Sequence, residues 1–131
     1  MTKIMFIDRD AVGVLQQWKE SGCAEALELV GLEPFGSITR TLHLVTKHLP
    51  EVLVVGFHLG SEADGATLLD FLRRVGGYAG QTIDNSGADG SLFSAQGVWV
   101  DEVAYRTPEG LHAALENLEL MPGIQRLKRP A

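Results

Sequence analysis

Cysteine is nearly absent from this sequence, since Cys23 is the only one among 131 residues. A single cysteine excludes an internal disulfide and any zinc site built from several cysteines. Long apolar runs are absent as well, and none approaches the roughly 18 residues that indicate a membrane span. The start, Met1 to Lys3, leads into a short apolar run without the pattern of a signal peptide. We therefore expect a cytoplasmic protein that does not enter a membrane.

Basic residues are also scarce. The chain has 11 Lys and Arg against 17 Asp and Glu, a net charge of −6. Binding to nucleic acid needs a basic face, and the short group Arg126, Lys128 and Arg129 is too small to provide one. The four histidines are scattered along the sequence, which does not favour a histidine metal site. We therefore expect no nucleic-acid partner, no metal and no cofactor for this domain.

The clearest structural signal is the run Val52–Val55, which lies between Pro50 and Gly56. Its four residues are apolar and three of them are β-branched, a pattern typical of a strand buried on both faces of a parallel sheet. Ligands bind such sheets where the strands end. Gly56 and Phe57 are therefore expected at the floor of any pocket.

Strands and helices alternate along the rest of the chain. Helices with apolar faces follow the capping residues Asp10, Ser37, Asp64 and Thr107, and any helix between Ser91 and Gln96 is expected to be short. The other strands are predicted at 3–7, 27–30, 81–83 and 98–100, and 31–36 is predicted to be a loop. This order predicts an α/β flavodoxin-like domain over residues 1–118, followed by a tail or truncated linker at 119–131. Its five-stranded parallel sheet has the order 2-1-3-4-5 with helices on both faces.

Several short motifs, taken together in their order and spacing, resemble a receiver domain of the response regulators of bacterial two-component systems. The resemblance covers about residues 3–118. It implies a CheY-like fold and a role in signal transduction. The motifs that carry it are Phe6-Ile7-Asp8, Pro50 before the third strand, His58-Leu59, Asp64-Gly65 and Thr107-Pro108-Glu109.

The sequence departs from that family at the residues that perform its chemistry. In the family, the first strand ends in adjacent acids that hold Mg²⁺ and the third in the Asp that accepts the phosphoryl group. The fourth strand ends in Ser or Thr, and the fifth in Lys followed by Pro. Here Arg9 replaces the second acid, Gly56 the phosphoacceptor, Ala104 the Lys and Tyr105 the Pro, while Asn85 or Ser86 stands at the hydroxyl position.

These departures predict a degenerate receiver pocket without a phosphoacceptor. Phosphoryl transfer to a receiver needs a carboxylate nucleophile and a divalent cation, and Gly56 has no side chain. We expect the guanidinium of Arg9 to replace the charge of the metal and to pair with Asp8. A simpler interpretation is that Asp8-Arg9-Asp10 is only a capped turn and that Gly56 allows close packing. The predicted pocket comprises Asp8, Arg9, Gly56, Asn85, Ser86 and Ala104.

Three hypotheses about function follow. The first is a pseudo-receiver that is not an enzyme and acts by binding a protein partner, or a second copy of itself, through the surface near Trp99, the last helix or the first helix. The second is a domain that senses a small ligand in the degenerate pocket. The third, an enzyme of flavodoxin-like fold, is disfavoured because no Asp precedes His58 and no Ser/Thr-rich phosphate loop follows the first strand.

Overall fold

A computed structural model of the protein describes residues 2–22, 27–33, 37–60, 63–87 and 91–118. None of the helices in these ranges has the length and apolarity that crossing a bilayer requires. In chain order the elements are β1 (Thr2–Ile7), α1 (Ala11–Glu20), β2 (Leu27–Leu32), α2 (Ile38–His48), β3 (Val52–Val55), α3 (Gly65–Arg74), β4 (Gln81–Asp84), α4 (Ser91–Ser94), β5 (Glu102–Val103) and α5 (Pro108–Asn117).

The strands form one parallel sheet in the order β2-β1-β3-β4-β5, which confirms the predicted fold class. Ile7 pairs with Val55, and Val55 pairs with Asp84. The three strands therefore end at the same level. As a result, the residues that follow them, Asp8, Gly56 and Asn85, meet at one edge of the sheet.

Two apolar layers hold the sheet between its helices. Val52, Leu53, Val54 and Val55 are all buried, as their pattern predicts. Val52 and Val54 pack into the layer that contains Trp18 and the buried residues of α5, whereas Leu53 and Val55 pack into the layer of α3 and α4. Alternation along an extended strand sends successive side chains to opposite faces. Burying each large side chain stabilises the fold by about 1.5–3 kcal/mol.

The predicted helix starts are confirmed at the level of single hydrogen bonds. The side chains of Asp10, Ser37, Asp64 and Thr107 each accept a hydrogen bond from a backbone N–H in the first turn of the helix they precede. Such a cap contributes about 1 kcal/mol. The fourth helix, α4, is short, as expected.

Two predicted strand boundaries are wrong. The fifth strand is not 98–100 but Glu102–Val103, because the ladder to β4 begins only where Asp101 N–H bonds to Thr82 O. Val98 and Val100 pack against the core without pairing in the sheet, so their alternation reflects burial alone. The second strand continues through Gly31 and Leu32, which pair with Phe6 and Ile7, although 31–36 was predicted to be a loop.

The predicted tail at 119–131 lies outside the described residues.

Asp64 connects the start of α3 to the residues after α4. Its carboxylate accepts hydrogen bonds from the Thr67 N–H at 2.8 Å and from the Gln96 side chain at 2.9 Å. Burial acts to raise the pKa of Asp64, but the hydrogen bonds from Gln96, Thr67 and Ala66 outweigh it and hold this pKa below its usual value. The folded state therefore favours the ionised form of Asp64, which stabilises the fold more than the protonated form does.

We expect this contribution to disappear in acid. A carboxyl group with a depressed folded-state pKa stabilises the protein above its unfolded pKa, and this stability is lost as the pH falls through the folded value, below about pH 4. Asp64→Asn retains a good helix cap but cannot titrate. Between about pH 5 and pH 2, the urea midpoint of the wild type should therefore fall more steeply than that of Asp64→Asn. Parallel curves for the two proteins would contradict this assignment.

Candidate functional site

A cleft of about 430 Å³ opens at the edge of the sheet where β1, β3 and β4 end. The strand order places it between the ends of β1 and β3, where ligands bind in parallel sheets of this topology. Its walls come from the loops after β1, β3, β4 and β5. The residues that line it are Asp8, Arg9, Asp10, Gly56, Phe57, His58, Ser86 and Arg106.

Asp8 is the buried charge of this cleft, with 3% of the residue exposed. Arg106 holds its carboxylate with two hydrogen bonds, from Nη1 to Oδ2 at 2.7 Å and from Nη2 to Oδ1 at 3.1 Å. Oδ1 also accepts the backbone N–H of Asp10 at 2.9 Å. Paired hydrogen bonds between a guanidinium and a carboxylate are among the stronger polar contacts in proteins. Both oxygens of Asp8 are therefore engaged within the protein.

Arg106 lies in the loop between β5 and α5, immediately before the capping residue Thr107. Its Nη1 also donates to the backbone carbonyl of Asn85 at 2.8 Å. The hydrogen bond from Arg106 to Asp8 raises the pKa of the guanidinium more than burial lowers it, and the charges of Asp8 and Asp10 add to the increase. Arg106 thus remains charged and joins the ends of β1 and β4 to the β5–α5 loop. We call this arrangement the Arg106 clamp.

Arg9 does not have the role predicted for it. The residue is exposed, and its side chain lies along Gly60, where an added Cβ would stand 3.5 Å from Nε. In the described part of the chain, the ion pair of Asp8 is made by Arg106. The prediction failed because Arg9 is next to Asp8 in sequence, and neighbouring side chains at a strand end point in different directions.

Gly56 leaves room for the clamp. Its backbone N–H bonds to Ile7 O at 2.9 Å, so it continues the ladder between β3 and β1. A Cβ at Gly56 would lie 2.8 Å from Asp8 Oδ2 and 3.7 Å from Arg106 Nη1. The start of α3 is also close, since a Cβ on Gly65 would lie 1.9 Å from Gly56 O. The position expected to carry a phosphoacceptor is therefore occupied in part by the carboxylate of Asp8.

The structure separates the remaining predicted pocket residues. Ser86 lines the cleft. Asn85 is buried and lines a second, smaller cavity. Ala104 is buried in the same core cluster as Leu111 and is not among the residues that line the cleft. Of the six predicted residues, the cleft therefore brings together Asp8, Arg9, Gly56 and Ser86.

Other acidic residues do not complete a metal site among the described residues. The carboxylate of Asp64 caps α3, and that of Asp84 accepts the N–H of Ser86 at 2.8 Å. Asp10 lines the cleft but caps α1 through Gly13. No group of three or more potential ligands occurs among the residues that the structure describes.

Sequence reasoning missed Arg106, which is the residue that determines the electrostatics of this site. It lies between Tyr105 and the motif Thr107-Pro108-Glu109, at a position to which the resemblance assigns no role. A partial signal was available, because a basic residue directly before the cap of a helix that follows a parallel strand lies at the edge where ligands bind. Nothing in the sequence alone indicates, however, which of the carboxylates at that edge it contacts.

No family model matches this sequence, and no curated protein was found to be similar to it. Solved structures do match. The receiver domain of Klebsiella pneumoniae RstA, described as BeF3-activated, superposes with a TM-score of 0.68 at 19% identity, covering 88% of this chain and 96% of that one. The N-terminal domain of an uncharacterized protein from Wolinella succinogenes gives 0.68 at 17% identity, covering 92% and 95%.

A longer protein matches over part of its length. RcsB of Salmonella enterica, bound to a promoter in the presence of a phosphomimetic, gives a TM-score of 0.71 at 18% identity, and the match covers 91% of this chain and 60% of that one. Identities this low establish a common fold and not a common activity. The chain therefore has the flavodoxin-like fold of response regulator receiver domains.

Proposed function

We propose that this domain is a receiver-like signalling module that works through protein–protein contact and is not phosphorylated at the usual site. The observation that supports this most directly is the Arg106 clamp beside Gly56. The clamp pairs Asp8 through both of its oxygens, and Gly56 provides no carboxylate to accept a phosphoryl group.

The proposal follows from what each step of the chemistry requires. A phosphoryl acceptor needs a nucleophilic oxygen in the cleft, and the carboxylate of Asp8 is already held by a guanidinium. A magnesium ion needs carboxylates in near-octahedral geometry, and it would have to displace Arg106 from Asp8. Arg106 already pairs with the carboxylate that a cation would need. We therefore assign the domain neither an enzymatic activity nor a cofactor.

The exposed apolar residues suggest where a partner binds. Val12, in the first turn of α1, is 69% exposed, and Tyr105, next to Arg106, is 79% exposed. Trp99 is less suitable than the sequence suggested, because it is partly buried and the Arg73 guanidinium lies 5.3 Å from its ring centroid. We propose that the contact surface comprises Val12 and Tyr105, each of which is within two residues in sequence of a residue that lines the cleft. Exposed aromatic residues are frequent at the centres of interfaces.

The first test is direct phosphorylation. We expect the wild type, incubated with acetyl phosphate and Mg²⁺, to keep its unmodified intact mass, because Gly56 provides no carboxylate and both oxygens of Asp8 are engaged. The melting temperature should also be unchanged by beryllofluoride with Mg²⁺, since a ligand that binds the folded state raises it. A stable gain of one phosphoryl group on Asp8 or Asp10 would contradict the proposal.

The second test concerns the partner. Light scattering of the wild type and of Tyr105→Ser reports whether the surface mediates self-association. Capture from cells of the source organism, with Tyr105→Ser and the distant exposed variant Val75→Ser as a matched control, reports whether another protein binds there. Binding that is lost in Tyr105→Ser but kept in Val75→Ser supports the proposal. Equal capture by all three proteins would reject this surface.

The small-ligand hypothesis is tested in parallel. A concentration-dependent rise in melting temperature with a metabolite or nucleotide would favour that function, provided that Ser86→Ala or Arg9→Ala in the cleft abolishes it. Val75 does not line the cleft, so the Val75→Ser control should show the same rise in melting temperature as the wild type. That result would show that the losses in Ser86→Ala and Arg9→Ala are specific to the cleft.

A further inference from the structure

A second cavity lies behind the Arg106 clamp, between α1 and α5. Its volume is about 30 Å³. A cavity needs room for about one water-sized sphere to hold a water molecule, and this one has enough. The residues that line it are Val14, Gln17, Trp18, Asn85, Arg106, Thr107, Pro108 and Leu111.

Two of the residues that line this cavity, Trp18 and Asn85, carry buried polar atoms. Trp18 and Asn85 are 0% and 1% exposed. Trp18 Nε1 and Asn85 Oδ1 have no hydrogen-bond partner among the described residues. The indole N–H can only donate a hydrogen bond, and the amide oxygen can only accept one. Each buried polar group left without a partner costs about 1–3 kcal/mol. The two groups are therefore complementary to a single molecule that accepts and donates.

We propose that this cavity binds one ordered water molecule, which accepts from Trp18 Nε1–H and donates to Asn85 Oδ1. Buried water typically makes about three hydrogen bonds. Gln17 and Arg106 also line the cavity and can supply the third. The same Asn85 accepts Arg106 Nη1 at its backbone carbonyl. The water thus connects Trp18 of α1 to Asn85, whose backbone carbonyl accepts a hydrogen bond from Arg106. Binding of this water does not depend on whether the domain is phosphorylated.

The site is tested on the ¹⁵N-labelled protein. We expect a nuclear Overhauser cross-peak in the NMR spectrum between water and the Trp18 indole N–H. The sign of this cross-peak should be the one that a water molecule with a long residence time produces. The variant Trp99→Phe leaves Trp18 as the only tryptophan in the sequence, so its remaining indole N–H signal is that of Trp18. Asn85→Leu has a similar shape and keeps the backbone carbonyl, but it removes the acceptor. This variant should lose the peak while retaining the circular dichroism of the folded domain.

A crystal structure at high resolution gives an independent measurement that requires no variant. The expected result is one water oxygen within about 3.2 Å of both Trp18 Nε1 and Asn85 Oδ1. A dry cavity, or a direct hydrogen bond from Trp18 Nε1 to a protein acceptor, would overturn the proposal. Neither outcome affects the test of phosphorylation, so the two proposals fail independently.

Discussion

Gly56→Asp, which restores the residue expected at the phosphoacceptor position, should not restore phosphorylation. Its Cβ would lie 2.8 Å from Asp8 Oδ2, closer than two such atoms normally approach. Asp8 has to move, but Arg106 holds both of its oxygens. The guanidinium, 3.7 Å from the added Cβ, competes for the new carboxylate as well. We expect no mass gain with acetyl phosphate and Mg²⁺, and a loss of about 1–3 kcal/mol in the free energy of unfolding from overpacking.

Removing the clamp should change that result. In the combined variant Gly56→Asp, Arg9→Asp, Arg106→Ala and Ala104→Lys, the new carboxylate is free of Arg106 and a second acid is available for Mg²⁺. We expect this protein to gain one phosphoryl group. The same background with Gly56→Asn is the control and should gain none. Phosphorylation of Gly56→Asp by itself would show that Arg106 does not block the site.

Arg106→Met should cause the largest loss of stability among single substitutions in the cleft. Methionine keeps much of the apolar stem, but it leaves the carboxylate of Asp8 buried without its partner. Breaking a fully buried ion pair costs about 3–5 kcal/mol. Because 40% of the Arg106 side chain is exposed, solvent replaces part of the interaction, and we expect about 2–3 kcal/mol by urea denaturation. Arg106→Lys keeps the charge without the paired hydrogen bonds and should lose less.

The double variant separates the ion pair from packing. Asp8→Asn removes the buried charge, so Arg106→Met in that background should cost less than it does in the wild type. A double-mutant cycle gives the coupling energy between the two residues, which is expected in the range of about 0.5–3 kcal/mol for residues in contact. Arg9→Met is the matched control and should be nearly neutral, since Arg9 is exposed. An equal loss in Arg9→Met and Arg106→Met would contradict the clamp.

Local signals in the sequence predicted most of the fold. The caps at Asp10, Ser37, Asp64 and Thr107 depend on residues within one helical turn, and all four are confirmed. The alternating strands and helices were sufficient for the sheet order, because right-handed crossovers leave few arrangements. The fifth strand was misplaced because Val98 and Val100 are apolar for packing, whereas the ladder forms beside β4 at Glu102–Val103.

The candidate site was predicted only in part. Gly56 and Asp8 were placed correctly, because each follows a strand whose end the sequence reveals. The partner of Asp8 was not, since Arg106 is 98 residues away along the chain. An ion pair of this separation depends on how the β5–α5 loop folds over the sheet. The choice between Asn85 and Ser86 stays open, because Asn85 directly follows the end of β4 whereas Ser86 lines the cleft.

By itself, the sequence determined the absence of a carboxylate at Gly56, the caps that start the helices and the parallel sheet that brings three strand ends together. These features depend on residue identity and on neighbours a few positions away. Only the tertiary structure decided that Arg106, and not Arg9, neutralises Asp8, and that Trp18 and Asn85 share a cavity. Such contacts join segments distant in the chain, and their geometry is set by packing across the sheet.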